Sequence, residues 1–276
     1  MTPEIIDILR CPICGGGLLL SEDEKSLVCG KRHCFDFARS GYVNIARAKL
    51  GSGDSKECVK SRTDFLSLGY YAPIADKLCS LAKKYADSEK SAVIDAGCGE
   101  GYYTLRLADC FADGSTVGFD LSKFAVEHGA KASRGRKNVF FAVASVFDMP
   151  IGDGKADIIT SVFAPCAEKE FLRVLKRGGV LITASAGRDH LLGMKKALYE
   201  NVYENEERAD APLDLCEAEK YTLKYEIELK NEKEIYDLFS MTPYFYRTSE
   251  QDKNKLLALK NLKTEIEINL AVYRKG

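Results

Sequence analysis

The sequence has no charge-free apolar run approaching the ~18 residues that a membrane span requires, so no bilayer-crossing helix is expected. Its first ten residues already carry Glu4, Asp7 and Arg10, which argues against a secretory leader. Net charge is nearly absent, with 40 Lys and Arg against 41 Asp and Glu. That balance rules out a chain that is basic overall, although local patches are untouched by it. Internal repeats and low-complexity tracts are also missing. What remains is a chain of 276 residues with 46% hydrophobic content, ample for a packed core. At about 150 residues per domain, this length allows one large domain plus a small one, or two modest ones.

Cysteine is abundant but unevenly placed. Of the ten cysteines, Cys11, Cys14, Cys29 and Cys34 fall in the first 34 residues, and the other six are dispersed singly. Without a leader, the cysteines are expected to be thiols or metal ligands of a cytoplasmic protein, not disulfides. Charge is uneven too. Residues 30–62 hold eight basic residues (Lys31, Arg32, Arg39, Arg47, Lys49, Lys56, Lys60, Arg62) against three acids, whereas residues 200–276 hold seventeen acids against twelve basic residues.

These patterns suggest three segments. Residues 1–45 are too few for an apolar core of their own and need a staple such as a metal. Residues 46–90 read as a basic linker and helical segment: a flexible linker over 46–60, with Gly51-Ser52-Gly53-Asp54-Ser55 at its centre, and helical patterns around 57–68 and 73–86. From residue 91 to 276, short apolar runs at 91–96, 115–119, 138–143, 156–162 and 179–185 alternate with helical stretches. Such alternation predicts an α/β domain with a mostly parallel sheet covered by helices.

Cys11-Pro12-Ile13-Cys14 is a CxxC at a turn, and Cys29 with His33 or Cys34 supplies a second pair after two short predicted strands, 18–20 and 26–28. Two such knuckles offer Zn²⁺ four ligands at tetrahedral corners, and a closed site of this kind is structural. A redox CxxC would instead open a helix after a strand.

Val93-Ile94-Asp95-Ala96-Gly97-Cys98-Gly99-Glu100-Gly101 follows a predicted strand and leads into a helix at Tyr102. Glycines there permit a tight turn and close approach of a ligand to the backbone. The turn alone is shared with dinucleotide-binding enzymes. Asp95, however, suits a ligand that carries an amine and a sulfonium and no phosphate, namely S-adenosylmethionine. Asp120, closing the next strand beside Leu121, can accept both ribose hydroxyls. Ser145, or Asp148 three residues on, falls where the adenine is expected.

The chain resembles the large-subunit (23S) ribosomal RNA guanine-N1 methyltransferases, which include the tylosin-resistance enzymes. The matching pieces are Cys11-Pro12-Ile13-Cys14, Cys29 through Asp36, Ser40-Gly41-Tyr42-Val43-Asn44 and Asp95 through Thr104. Phe163-Ala164-Pro165-Cys166, Gly187 through His190 and Met241-Thr242-Pro243 complete the set. The resemblance implies a class I (Rossmann-like) methyltransferase fold with a seven-stranded sheet and a small N-terminal zinc-binding β domain. It implies zinc ligation by Cys11, Cys14, Cys29 and His33, and cofactor contacts at Tyr71, Gly99, Glu100 and His190. It further implies a homodimer acting on an RNA hairpin loop, in ribosome maturation or in macrolide resistance. In this setting Lys31, Arg32, Arg39 and Arg47 are the expected RNA contacts.

N1 lies on the Watson–Crick edge of guanine, so the target must be unpaired or flipped out. Tyr42, Tyr71, Phe163 and Tyr244-Phe245-Tyr246 are candidate stacking partners, and Phe163 and Pro165 are expected to position the base. Cys166 invites a rival reading as the nucleophile of a cytosine-C5 methyltransferase. The motifs are also compatible with a small-molecule methyltransferase, a dinucleotide-dependent oxidoreductase, or a non-enzymatic zinc-dependent RNA-binding protein. Without the cytosine chemistry, Cys166 is expected to open a helix over 166–175. His128 reads as a helix-surface residue.

Overall fold

A computed structural model describes residues 1–47, 53–202, 204–205 and 214–276. Lys49, Gly51 and Ser52 of the expected linker lie outside the described residues. The chain opens with α1 (Pro3–Ile8), whose proline occupies the first turn, where a missing N–H costs nothing. Strands β1 (Leu18–Leu20), β2 (Ser26–Cys29) and β3 (Cys34–Asp36) then form a small antiparallel sheet in that order.

Next come β4 (Val43–Asn44), α2 (Lys56–Ser67), α3 (Ala72–Tyr85), β5 (Ala92–Ala96), α4 (Tyr102–Cys110) and β6 (Ser115–Asp120). They are followed by α5 (Lys123–Ala132), β7 (Val139–Val143), β8 (Ala156–Val162), α6 (Glu168–Val174) and β9 (Leu175–Ala186). The chain ends with α7 (Leu192–Leu198), β10 (Cys216–Leu229), α8 (Glu232–Ser240), α9 (Glu250–Leu257) and β11 (Leu262–Arg274).

Eight strands build the main sheet in the order β10-β11-β9-β8-β5-β6-β7-β4. From β9 to β4 all neighbours are parallel, and β11 is antiparallel to both β9 and β10. Seven of these strands form the expected class I sheet. The eighth, β4, is a two-residue edge strand contributed by the N-terminal segment. Every residue of β5 and β7 is buried, as befits parallel strands covered on both faces. β10, at the other edge, is largely exposed and interleaves charged residues with apolar ones. That pattern hid it among the acidic residues of the C-terminal third.

Local chemistry sets the helix ends. Ser55 Oγ accepts from the Cys58 N–H at 3.2 Å, so α2 begins at Lys56, inside the segment expected to be linker. Gly69 (φ +82°) supplies the left-handed residue between α2 and α3. Cys166 does not open a helix. Ala167 holds a non-helical backbone, and α6 starts at Glu168.

The N-terminal segment is welded to the sheet. Ile5, Ile8 and Leu9 belong to one core cluster with Phe140, Ala142, Met149 and Ile151. The Arg10 N–H donates to the Pro150 carbonyl at 2.9 Å, the Gly152 N–H to Ile8 at 2.9 Å, and the Ile45 N–H to Val143 at 3.0 Å. Burying each such Ile or Leu stabilises by roughly 1.5–3 kcal/mol, so the segment is held by shared core as well as by any metal. The carboxyl ends of β5 to β9 meet at one edge of the sheet, and there the functional cleft opens.

Candidate functional site

Between Ala96 and Tyr102 the chain turns from β5 into α4 through three left-handed glycines, Gly97, Gly99 and Gly101, at φ +80°, +54° and +88°. A Cβ on Gly97 would stand 2.5 Å from Ala164 Cβ, and one on Gly101 would stand 2.7 Å from Phe141 Cζ. Gly97 and Gly99 line a cavity of about 420 Å³. Gly101, expected in contact with the cofactor, is buried behind that wall and serves the packing of α4 on β7.

The turn is tied to β6. The Gly97 and Cys98 N–H groups donate to the Phe119 carbonyl at 2.8 and 2.9 Å. Asp120 accepts from the Gly99 N–H at 3.0 Å and from the Ser122 N–H at 2.7 Å, one bond to each carboxylate oxygen. A carboxylate offers about four acceptor sites, so Asp120 retains capacity toward the cavity it lines with Leu121. Burial pushes its pKa upward against those two hydrogen bonds.

Asp95 is placed differently from the sequence expectation. It is 1% exposed and accepts from Thr104 Oγ1 at 2.5 Å and Thr160 Oγ1 at 2.8 Å. Burial raises its pKa to about 6. Its side chain points between α4 and β8 and leaves the cavity wall to the glycines, so it anchors the turn from beneath. Ser145 is likewise off the wall: its Oγ accepts the Phe147 N–H at 3.2 Å, while Asp148 pairs with Arg47 at 3.2 Å. Val146 and the exposed ring of Phe147 line the cavity in their place. Their apolar character between Ser145 and Asp148 is the sequence signal for this wall.

Arg62 is the functional residue that its sequence context conceals. It stands among the basic residues of 30–62, yet its guanidinium is largely buried in the cleft, with Nε on Glu100 at 2.5 Å and Nη1 on Asp54 at 2.6 Å. Burial opposes its charge, but the two carboxylates hold its pKa above the ordinary value.

A second cavity of about 550 Å³ adjoins the first, and Asp54, Arg62, Tyr71, Phe163 and Met241 line both. Phe163 caps β8 at φ +52°, a left-handed conformation that costs a residue other than glycine of order 1 kcal/mol. Its ring stacks on His190 at 6.1 Å and 21°, with Tyr71 at 6.3 Å. His190 Nδ1 accepts from the Glu267 N–H at 3.3 Å, and burial lowers its pKa to about 4. At neutral pH the ring is therefore uncharged, and an accepting Nδ1 assigns its proton to Nε2.

On the far wall Tyr244 Oη and Lys195 Nζ both donate to Asn205 Oδ1, at 2.8 and 2.7 Å. Of the other aromatic candidates, Tyr42 is buried in the core, Phe245 packs against Phe239, and Tyr246 is exposed. Pro165 lines the first cavity, whereas Cys166 is exposed and lines neither. His128 is half-buried on α5.

Of the two residues that the spacing left open as fourth ligand, His33 and not Cys34 joins Cys11, Cys14 and Cys29. One atom from each of Cys11, Cys14, Cys29 and His33 lies within 4.8 Å of the others. His33 Nδ1 is 3.4 Å from Cys11 Sγ and 3.3 Å from Cys29 Sγ, and Cys14 Sγ is 3.7 Å from Cys29 Sγ. A tetrahedron with Zn–S about 2.3 Å and Zn–N about 2.0–2.1 Å has edges of about 3.5–3.8 Å, so the donor set fits Zn²⁺. Desolvation pushes the Cys29 thiol up, yet backbone N–H groups of His33 and Lys31 bring it down to about 6, toward the thiolate that a metal needs.

Cys34 is exposed and turned toward Asp36. Lys31, Arg32 and Arg39 are exposed, with no ion pair among the described residues. Arg47 is instead a buttress, donating from Nε to the Pro12 carbonyl and pairing with Asp148, so it joins the ribbon to the main sheet. Elemental analysis is expected to find one zinc per chain in wild type and in Cys34→Ser, and none in Cys11→Ser. Retention of full zinc by Cys11→Ser, or its loss from Cys34→Ser, would contradict the ligand set.

A family model described as a methyltransferase domain matches residues 87–247, and one described as the N-terminal part of RlmA, a zinc ribbon, matches residues 9–47. The chain is 36% identical over 202 residues to the 23S rRNA (guanine(748)-N(1))-methyltransferase of Streptomyces fradiae, covering 72% of this chain and 70% of that one. It is 27% identical over 279 residues to a Bacillus subtilis protein provisionally named 23S rRNA (guanine-N(1)-)-methyltransferase YxjB, covering 97% of each. Among solved structures, a provisionally assigned type II methyltransferase from Anaeromyxobacter dehalogenans gives a TM-score of 0.51 at 16% identity, over 72% of this chain and 95% of that one, which speaks to fold alone. The chain belongs to the zinc-ribbon-bearing, S-adenosylmethionine-dependent family of 23S ribosomal RNA guanine-N1 methyltransferases.

Proposed function

We propose that the protein transfers a methyl group to N1 of a guanine in a hairpin loop of 23S ribosomal RNA, acting as a cytoplasmic homodimer. The observation that carries this reading is the meeting of two cavities at Tyr71 and Phe163, one walled by the glycine turn and Asp120, the other by His190 and Tyr244. The first suits the cofactor, through Tyr71, Gly97, Gly99, Glu100, Asp120 and Leu121. Asp120 can accept the ribose hydroxyls, and Val146 and Phe147 offer apolar cover to the adenine. S-adenosylmethionine supplies, when bound, an electrophilic methyl group on a sulfonium.

The second cavity suits the flipped base. The exposed Phe163 ring gives it a stacking face, and Pro165 lines the adjoining cofactor cavity. Loss of the N1 proton places charge on O6 as well as on N1. Neutral His190, expected from sequence as a cofactor contact, lines this second cavity, and its Nε2–H suits that oxygen. In-line displacement then needs the chain chiefly to hold nitrogen, carbon and sulfur collinear and water excluded.

In the same reading residues 1–45 recognise RNA, 46–90 link while lending Asp54, Arg62 and Tyr71 to the two cavities, and 91–276 carry the rest of the methyltransferase site. The exposed Lys31, Arg32 and Arg39 on the zinc ribbon meet phosphates, and Arg47 holds that ribbon in place.

Two experiments test the proposal. Incubation with S-adenosylmethionine and a 23S hairpin-loop transcript, followed by nucleoside mass spectrometry, is expected to yield 1-methylguanosine, undiminished in Cys166→Ala. A 5-methylcytidine product that Cys166→Ala abolishes would support the cytosine chemistry instead. The triple variant Lys31→Ala, Arg32→Ala, Arg39→Ala is expected to weaken RNA binding and to reduce the slope of log affinity against log salt by about 2. An unchanged slope would remove the ribbon from the RNA interface.

A further inference from the structure

Arg62 holds more hydrogen-bonding capacity than the protein uses. Its Nε and Nη1 are committed to Glu100 and Asp54, but Nη2 is buried and has no hydrogen-bond partner among the described residues. A buried charged donor without a partner is costly, so a ligand that completes it gains correspondingly. The guanidinium lies over the glycine turn, with Nη2 3.4 Å from where a Gly99 Cβ would stand, and it borders both cavities.

The charge inventory of the cleft points to the ligand. Asp54, Glu100 and Asp120 line the first cavity, and among the described residues Arg62 is the one cationic side chain lining either cavity. S-adenosylmethionine brings a sulfonium and an α-ammonium, which these carboxylates attract. It also brings one carboxylate, which they repel. A carboxylate enters such a cleft at least cost where a positive donor faces it.

We infer that Arg62 binds the carboxylate of the cofactor's amino-acid end through Nη2, with Asp54 and Glu100 fixing the guanidinium so that the donor is in place before the cofactor arrives. Holding two of its three nitrogens in ion pairs removes most of the rotamer entropy that an arginine loses on binding. The inference concerns the cofactor and does not depend on which RNA base is methylated.

Calorimetry with S-adenosylmethionine and its decarboxylated analogue, which keeps the amine, the sulfonium and the adenosine, separates this role from a merely structural one. Wild type is expected to bind the carboxylate-bearing ligand about tenfold to a hundredfold more tightly, the size of a charge-assisted hydrogen bond. Arg62→Gln is expected to lose that preference while binding the decarboxylated analogue within about twofold of wild type. Should Arg62→Gln fail to give a cooperative melt, the wild-type comparison decides alone, and Arg62→Lys, which keeps charge without the fork, is expected to show a reduced preference. Equal wild-type affinity for the two ligands overturns the inference. So does a parallel loss of both in a folded Arg62→Gln, or an undiminished preference in that variant.

Discussion

Asp95 is the bolt of this structure. Its two carboxylate oxygens accept from Thr104 on α4 and Thr160 on β8, so one side chain at the end of β5 ties the central strand to a neighbouring strand and to the helix that follows the glycine turn. The position of the turn, and hence of both cavities, depends on that tie. Burial raises the Asp95 pKa from 3.8 to about 6, so the contribution from its excess proton affinity is present below pH 3.8 and lost as pH rises through about 6. At neutral pH the carboxylate is ionised, and the two threonine donors offset its desolvation. Above this bolt, the Gly99 N–H and Asp120 join the turn to β6, and Arg62 closes it from the side through Glu100.

Strain and charge are concentrated where the two cavities meet. Phe163 is held left-handed while its N–H donates to the Ala184 carbonyl at 2.9 Å, which turns the ring out of the core and over the junction. The neutral His190 beside it, kept uncharged by burial, offers one donor without adding a cation to an acidic cleft. The ribbon is joined to the main sheet by several contacts. Arg47 spans Pro12 and Asp148, β4 extends the sheet beyond β7, and α1 shares its core. On the proposed reading, these contacts set where the loop base falls once a phosphate is gripped by the ribbon.

Sequence reasoning reached as far as local chemistry reaches. Three zinc ligands were legible because a knuckle is a short-range object, Cys11 and Cys14 sharing one turn and Cys29 opening another, whereas spacing alone left His33 and Cys34 open as the fourth. The glycine turn and Asp120 were legible because the spacing of a βαβ unit is set by its backbone. Asp95 was visible but misplaced, since a strand residue gives no sign of which neighbour its side chain will face. Arg62 was misread for a related reason. Its partner Glu100 lies 38 positions away, and only the packing of α2 over the turn separates it from the solvated cations around it. The hairpin of β10 and β11 escaped because its charged, half-exposed alternation resembles a polar surface segment as closely as it resembles an edge strand.

The central claim is methylation of one guanine at N1 in a hairpin loop of 23S ribosomal RNA. N1-methylguanine blocks base pairing, so primer extension on ribosomal RNA from cells with and without the gene reads it directly. The account predicts a stop at a single hairpin-loop guanine that disappears on deletion and returns with a wild-type copy. An identical pattern of stops in the two RNAs, or a difference confined to a position other than guanine, would contradict it.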